Sequence, residues 1–245
     1  YIATATSLGA STIHIVGTAA CRRARNATAF SELLQAKTQL TLEVLSESDE
    51  AALTFSGALI GLPVLDAPTL VIDIGGGSTE YTVGTQSIDV FASIPFGAVT
   101  STESHISSDL PRPEDLTNLI GAVSDELEDI TRDHPIVATA IRTVGVAGTI
   151  VTIAAVELGL HEFDDAALHG MTLSREAVED VFRTVATEPL ALRVQNPGLG
   201  PDRADIIVAG CCILVATMRR LHLSEITVST RGLLDGVAHR ARLNS

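Results

Sequence analysis

Thr69 to Glu80 reads TLVIDIGGGSTE: an apolar, β-branched run closing on Asp73 and Ile74, three consecutive glycines, then Ser78, Thr79 and Glu80. Thr69–Ile74 is predicted as a buried strand. Gly75, Gly76 and Gly77 let the backbone turn sharply and present N–H groups with no side chain in front of them, which makes an anion nest. Ser78 and Thr79 add hydroxyl donors for phosphate. The carboxylates of Asp73 and Glu80 flank the turn, where a hydrated Mg2+ can be held against bound phosphate oxygens. Three glycines alone would read as a tight hairpin; the Asp before and the Ser-Thr-Glu after favour the phosphate loop. In a dinucleotide-binding fold the first glycine-rich turn runs from a strand directly into a helix. Here Thr79–Val83 and Ile88–Ile94 read as two further strands joined by a GTQS turn, so the glycines lie inside a meander.

Upstream, Thr12–Gly17 reads as a short strand, Ala19–Lys37 as one helix and Leu40–Leu45 as the next strand. A helix over Ser48–Leu59 follows, with a Ser cap and acidic residues in its first turn, where negative charge suits the positive end of the dipole. The Pro- and Gly-punctuated connection GLPVLDAP, residues 61–68, places a domain boundary there. Residues 1–62 are expected to be part of an N-terminal domain and 63–245 a C-terminal one. Downstream, helices are expected over Pro113–Arg132, Thr149–Leu158, Ser174–Thr187 and Arg203–Leu221, with strands at Arg142–Val146 and Glu225–Ser229. The opening residues, YIATATSLGAS, read as the tail of a helix leading into a strand.

The chain has 245 residues, 46% of them hydrophobic, with 3% aromatics and no Trp. That is enough for one large core or two ordinary ones, and its aliphatic bias suits an α/β protein with helices over strands. A formal charge of −14 argues against a general polyanion-binding surface, so nucleic acid is not expected as a partner and any phosphate site must be a local pocket. Cys21, Cys211 and Cys212 lack metal-ligand spacing and read as reduced core residues. None of the histidines, His169 in LHGMTLS included, has a partner at ligand spacing, so no zinc site is expected. The apolar run Ile206–Met218 falls short of the roughly 18 residues of a membrane span and reads as a buried helix. With no leader-like start, the expectation is a cytoplasmic protein off the membrane.

VGVAGT, a strand, a glycine turn and a helix start, marks Gly148 and Thr149 as further candidates for binding an anionic or polar group at a helix N-terminus. Close helix–strand packing through Gly145 and Gly148 is the alternative for the same pattern.

VIDIGGGSTE resembles the second phosphate loop of the exopolyphosphatase and guanosine-pentaphosphate phosphatase family. GTAACRRARN, EVLSESDEAALTFSGA, IPFGAVTSTE, VGVAGTIVTIAA, RADIIVAG and VSTRGLLDG resemble other family segments in the same order. The resemblance implies an actin-like ATPase (ribonuclease H-like) fold: two domains with mixed sheets flanked by helices and a cleft between them. It further implies that Glu50 is the base that activates water and that Arg22 grips a terminal phosphate. The implied activity is Mg2+-dependent release of orthophosphate from inorganic polyphosphate, with guanosine pentaphosphate as the alternative substrate and a non-catalytic sensor as the alternative class. A homodimer is one expectation for the assembly. Two departures stand out. The family's first phosphate loop, an Asp-x-Gly-Ser-Asn segment, has no counterpart here, which is expected to leave the charge clamp with one jaw. Leu234 stands where family members commonly carry Arg, removing one basic contact for a long polyphosphate chain.

Overall fold

The computed structural model describes residues 1–243. Two short strands, β1 (Ile15–Gly17) and β2 (Leu42–Val44), pair in parallel. The remaining strands are β3 (Thr69–Ile74), β4 (Thr79–Gly84), β5 (Ile88–Ile94), β6 (Arg142–Val146), β7 (Thr172–Ser174) and β8 (Glu225–Val228). They form one mixed sheet in the order β5-β4-β3-β6-β8-β7. The β3–β4–β5 meander is antiparallel, β3, β6 and β8 run parallel, and β7 pairs antiparallel with β8.

Strand period decides what each face carries. Leu70, Ile72 and Ile74 of β3 point into the main core with Tyr81, Val83 and Ile94. That core is closed by the helices Pro113–Asp133, Ala147–Glu157, Arg175–Thr187 and Ile207–Arg220. From Ile207 to Met218 every residue of the last of these is buried, so the apolar run is an internal helix and carries Cys211 and Cys212 with it. Burial pushes both thiols well up from their ordinary range. Among the described residues no helix is long and apolar enough to cross a membrane.

Val71, Val144 and Val146 face the other way and meet Phe55, Ala58 and Leu62, so the helix Glu47–Ala58 lies on the opposite face of the sheet. Its far side packs Leu53 with Leu45 and Val237. Val237 belongs to the helix Leu233–Leu243, which returns from the end of the chain to the N-terminal segment. The approach is close enough to need glycine: a Cβ on Gly57 would lie 1.9 Å from the Gly232 carbonyl oxygen, and one on Gly236 would lie 2.0 Å from that of Leu53. Arg240 closes the same contact on Glu43 at 2.7 Å.

The helix expected over Ala19–Lys37 is two helices, Ala19–Arg23 and Ala27–Thr38, broken where Ala24 takes extended backbone (φ −70°, ψ 126°). The break leaves Arg22 in the last turn of a short helix, free to reach across to Leu45 and Glu50. Thr172–Ser174 and the helix Ala98–His105 were not foreseen. Both are short and partly polar, and each is held mainly by its tertiary neighbours.

Candidate active site

A cleft of about 440 Å3 opens between a wall drawn from residues 18–54 and the sheet. Its floor follows from register. Asp73 pairs with Glu80 and Glu80 with Ser93, while Val71 pairs with Thr82 and Thr82 with Phe91. Alternation puts these six side chains on one face as two rows, a polar row next to the glycine turn and a less polar row behind it, and all six line the cleft. Gly75, Gly76, Gly77 and Ser78 form the rim at the open end of β3. The opposite wall is Thr18, Ala19, Ala20, Arg22 and Arg23 together with Glu47, Glu50, Ala51 and Thr54. The last four recur at helical spacing along one face of Glu47–Ala58.

Ser46 caps that helix, accepting from the Asp49 N–H at 3.1 Å, and Glu47, Asp49 and Glu50 occupy its first turn. Capping sets the helix start, and so the height at which Glu50 enters the cleft. Arg22 donates through Nη1 to Glu50 Oε2 at 2.6 Å and to the Leu45 carbonyl at 2.9 Å, with Glu47 3.8 Å from Nη2. The residues expected to act as base and phosphate grip are thus held against each other, both partly buried.

Across from them, burial is the main reason the Asp73 carboxyl is raised from 3.8 to about 7, with the Glu80 and Glu50 carboxylates adding to it. Among the described residues no hydrogen-bond donor meets the Asp73 side chain. Glu80 is also raised, by burial first. Against this, it accepts from Ser78 Oγ at 2.5 Å and from Ser93 Oγ at 3.1 Å. Two neighbouring carboxylates that burial pushes up, facing open space, make a site short of positive charge. No set of three or more His, Cys, Asp or Glu side chains among the described residues is arranged to hold a metal ion. Two carboxylates beside a glycine turn with open N–H groups nevertheless fit Mg2+, which keeps several waters and takes phosphate oxygens as further ligands.

The rim supplies donors. Gly75 N–H closes the turn on the Ser78 carbonyl at 3.0 Å, whereas the N–H groups of Gly76, Gly77 and Ser78 have no acceptor among the described residues. A Cβ on Gly77 would meet nothing within 4 Å, so the space in front of the loop is clear.

Arg22, Glu50, Asp73, Gly75, Gly76, Gly77, Ser78 and Glu80 therefore surround one cleft. Three expected site residues do not. Thr79 is fully buried, because its place in β4 turns it to the core side, and its hydroxyl donates to the Phe96 carbonyl at 2.6 Å. Thr149 is also buried, its methyl filling the notch at Gly210 in the helix Ile207–Arg220. A Cβ on Gly148 would lie 2.6 Å from the Arg203 guanidinium, and neither Gly148 nor Thr149 lines the cleft. The close-packing alternative for this turn also accounts for Gly145, where a Cβ would strike Ile150 and Ile226. Ser93, Thr82 and Phe91 were missed, although pairing β4 with β5 through the short GTQS turn would have placed them beside Glu80. Leu234 is exposed and lies outside the cleft. His169 sits against Gly61 with Nε2 buried and unpartnered, and its Nδ1 accepts from the Thr230 N–H at 3.4 Å.

The chain matches the sequence model of the Ppx/GppA phosphatase family over residues 1–244. It is 33% identical over 203 residues to exopolyphosphatase 2 of Mycobacterium tuberculosis, a match covering 80% of this chain and 62% of that protein. To the guanosine-5'-triphosphate,3'-diphosphate pyrophosphatase of Aeromonas salmonicida it is 26% identical over 232 residues, covering 94% and 45%. The chain thus spans less than two thirds of the length of either relative. Among solved structures, the Aquifex aeolicus Ppx/GppA family member superposes with a TM-score of 0.85 at 27% identity, over 99% of this chain and 78% of that one. This likeness assigns the actin-like ATPase fold.

Proposed function

This chain belongs to the Ppx/GppA phosphatase family, and on that premise we propose that it hydrolyses the terminal phosphoanhydride bond of inorganic polyphosphate, releasing orthophosphate. The observation that carries the reading is one cleft with the Arg22–Glu50 pair on one wall and the open N–H groups of the glycine turn on the other. The terminal phosphate is bound by the N–H groups of Gly76, Gly77 and Ser78. Arg22 reaches the same phosphate and matches the charge that develops on its oxygens. Glu50 orients a water molecule and takes its proton as the water oxygen bonds to phosphorus. The bridging P–O bond breaks, and its electron pair stays on the shortened chain. Asp73 and Glu80 would hold Mg2+, which offsets phosphate charge when bound. Arg22 thereby has two tasks, holding Glu50 in place and meeting the phosphate.

Guanosine pentaphosphate is the second reading. The row Val71, Thr82 and Phe91 behind the carboxylates offers a less polar surface that a nucleoside can use and a bare phosphate chain cannot. The test is phosphate release with Mg2+ from long polyphosphate, short polyphosphate and guanosine pentaphosphate, using the protein at its natural length and its Glu50→Gln variant. Release from polyphosphate that falls about a hundredfold or more in the variant is expected for loss of a general base. Equal rates in the two proteins would overturn the assignment. Binding without turnover would make the protein a sensor, and release from guanosine pentaphosphate alone would select the second reading.

A further inference from the structure

Among the described residues the N–H groups of Gly76, Gly77 and Ser78 in the glycine turn meet no acceptor, and what aims them lies outside the cleft. Each belongs to a peptide unit whose carbonyl is on the preceding residue: Gly75 for Gly76, Gly76 for Gly77, and Gly77 for Ser78. All three carbonyls are bound by Ala98, Val99 and Thr100, the first three residues of the helix Ala98–His105. Ala98 N–H donates to Gly75 O at 2.9 Å, Val99 and Thr100 N–H donate to Gly76 O at 2.9 and 3.1 Å, and Thr100 Oγ1 donates to Gly77 O at 3.2 Å. A planar trans peptide sets its C=O and N–H on opposite sides. Drawing three carbonyls towards one helix start therefore turns three N–H groups away from it, towards the cleft.

We infer that Gly97 and Thr100 are positioning residues for the phosphate loop, an inference that rests on the proposed phosphate-binding role of that loop. Gly97 lets the two segments meet: a Cβ there would lie 2.4 Å from the carbonyl carbon and oxygen of Gly76 and 2.5 Å from the Gly77 nitrogen. Thr100 supplies the link for the third peptide, which no backbone group among the described residues reaches. Its hydroxyl also accepts from the Gly97 N–H at 3.2 Å, so one side chain fixes both the helix start and the last loop carbonyl. Thr79 adds a strut beside them through its bond to Phe96 O. The clamp spends the first N–H groups of the helix, which would otherwise lack partners, on carbonyls that would otherwise compete for the cleft. The loop thus meets an anion already oriented.

Inorganic phosphate, titrated with and without Mg2+ and followed by the amide resonances of Gly76, Gly77 and Ser78, tests this. In the parent protein these three resonances move on phosphate addition. Thr100→Val is expected to weaken phosphate binding about fivefold, the size of one neutral hydrogen bond, and to shrink the response at Ser78 most. Thr100→Ser restores both. Gly97→Ala, which forces the segments apart, is expected to cost more than tenfold and serves as the second variant if Thr100→Val does not fold. Parent resonances that ignore phosphate would overturn the reading of the loop itself. A parent that responds while Thr100→Val and Gly97→Ala bind equally well with the same shifts would overturn the clamp and leave that reading standing.

Discussion

Replacing Asp73 by Asn should stabilise the protein while removing its response to Mg2+. In the folded chain the carboxyl is raised from 3.8 to about 7, chiefly by burial and then by Glu80 and Glu50. The fold therefore prefers Asp73 protonated. That preference is fully present below about pH 4 and is lost progressively as pH rises to about 7, where the ionised group is carried at full cost. At 1.36 kcal/mol for each tenfold change in the proton equilibrium, the rise corresponds to about 4 kcal/mol as an upper figure. Denaturant unfolding in EDTA, repeated across that pH range, measures it. Asp73→Asn should match the parent in acid and exceed it by up to about 4 kcal/mol above neutrality. Added Mg2+ should recover much of the difference for the parent and little for the variant, since a ligand that binds only the folded state stabilises it. A stability difference that does not change with pH, or a variant less stable than the parent above pH 7, would refute the account of a carboxylate held short of positive charge.

The remaining predictions concern the cleft wall and the packing behind it. Arg22→Met removes the guanidinium that lowers the Glu80 carboxyl, so side-chain titration by NMR should find Glu80 higher still. An unchanged Glu80 would mean that Arg22 does not act across the cleft. Gly236→Ala places a Cβ 2.0 Å from the Leu53 carbonyl oxygen and should cost about 1–3 kcal/mol in denaturant unfolding. The cost of Gly57→Ala in the same helix contact should not simply add to it. Tyr81→Phe deletes the buried 2.7 Å bond to Thr217 Oγ1, which keeps its bond to the Ile213 carbonyl at 2.8 Å, and should cost about 1 kcal/mol of stability with the cleft untouched.

Much of the fold was legible because its signals are local. Thr69–Ile74 announces itself by β-branched apolar residues, and the helix Glu47–Ala58 by a Ser cap and three acids in its first turn. Asp73 is the one charged residue of the strand Thr69–Ile74, and three glycines begin two residues after it, so it could be picked out as a candidate without coordinates. Gly148 and Thr149 show the limit of such reading. A glycine turn before a helix serves an anion or close packing equally well, and only the burial of Thr149 against Gly210 separates the two. The break at Ala24–Asn26 was hidden for a similar reason. No proline or glycine marks it, and what it accomplishes is to direct Arg22 towards Glu50, 28 residues further on.

By itself the sequence determined the strands and helices with strong periodicity and the glycine turn between Asp73 and Glu80, because each depends on neighbours within a few residues. The tertiary structure alone decided that Arg22 pairs with Glu50, that Thr79 is spent on Phe96 while Thr100 from the next helix takes up the loop, and that Leu233–Leu243 returns to Glu47–Ala58. Those outcomes turn on which groups compete for a partner once distant segments touch. Hydrogen-bond satisfaction and van der Waals exclusion act through space, whereas propensity and capping act along the chain.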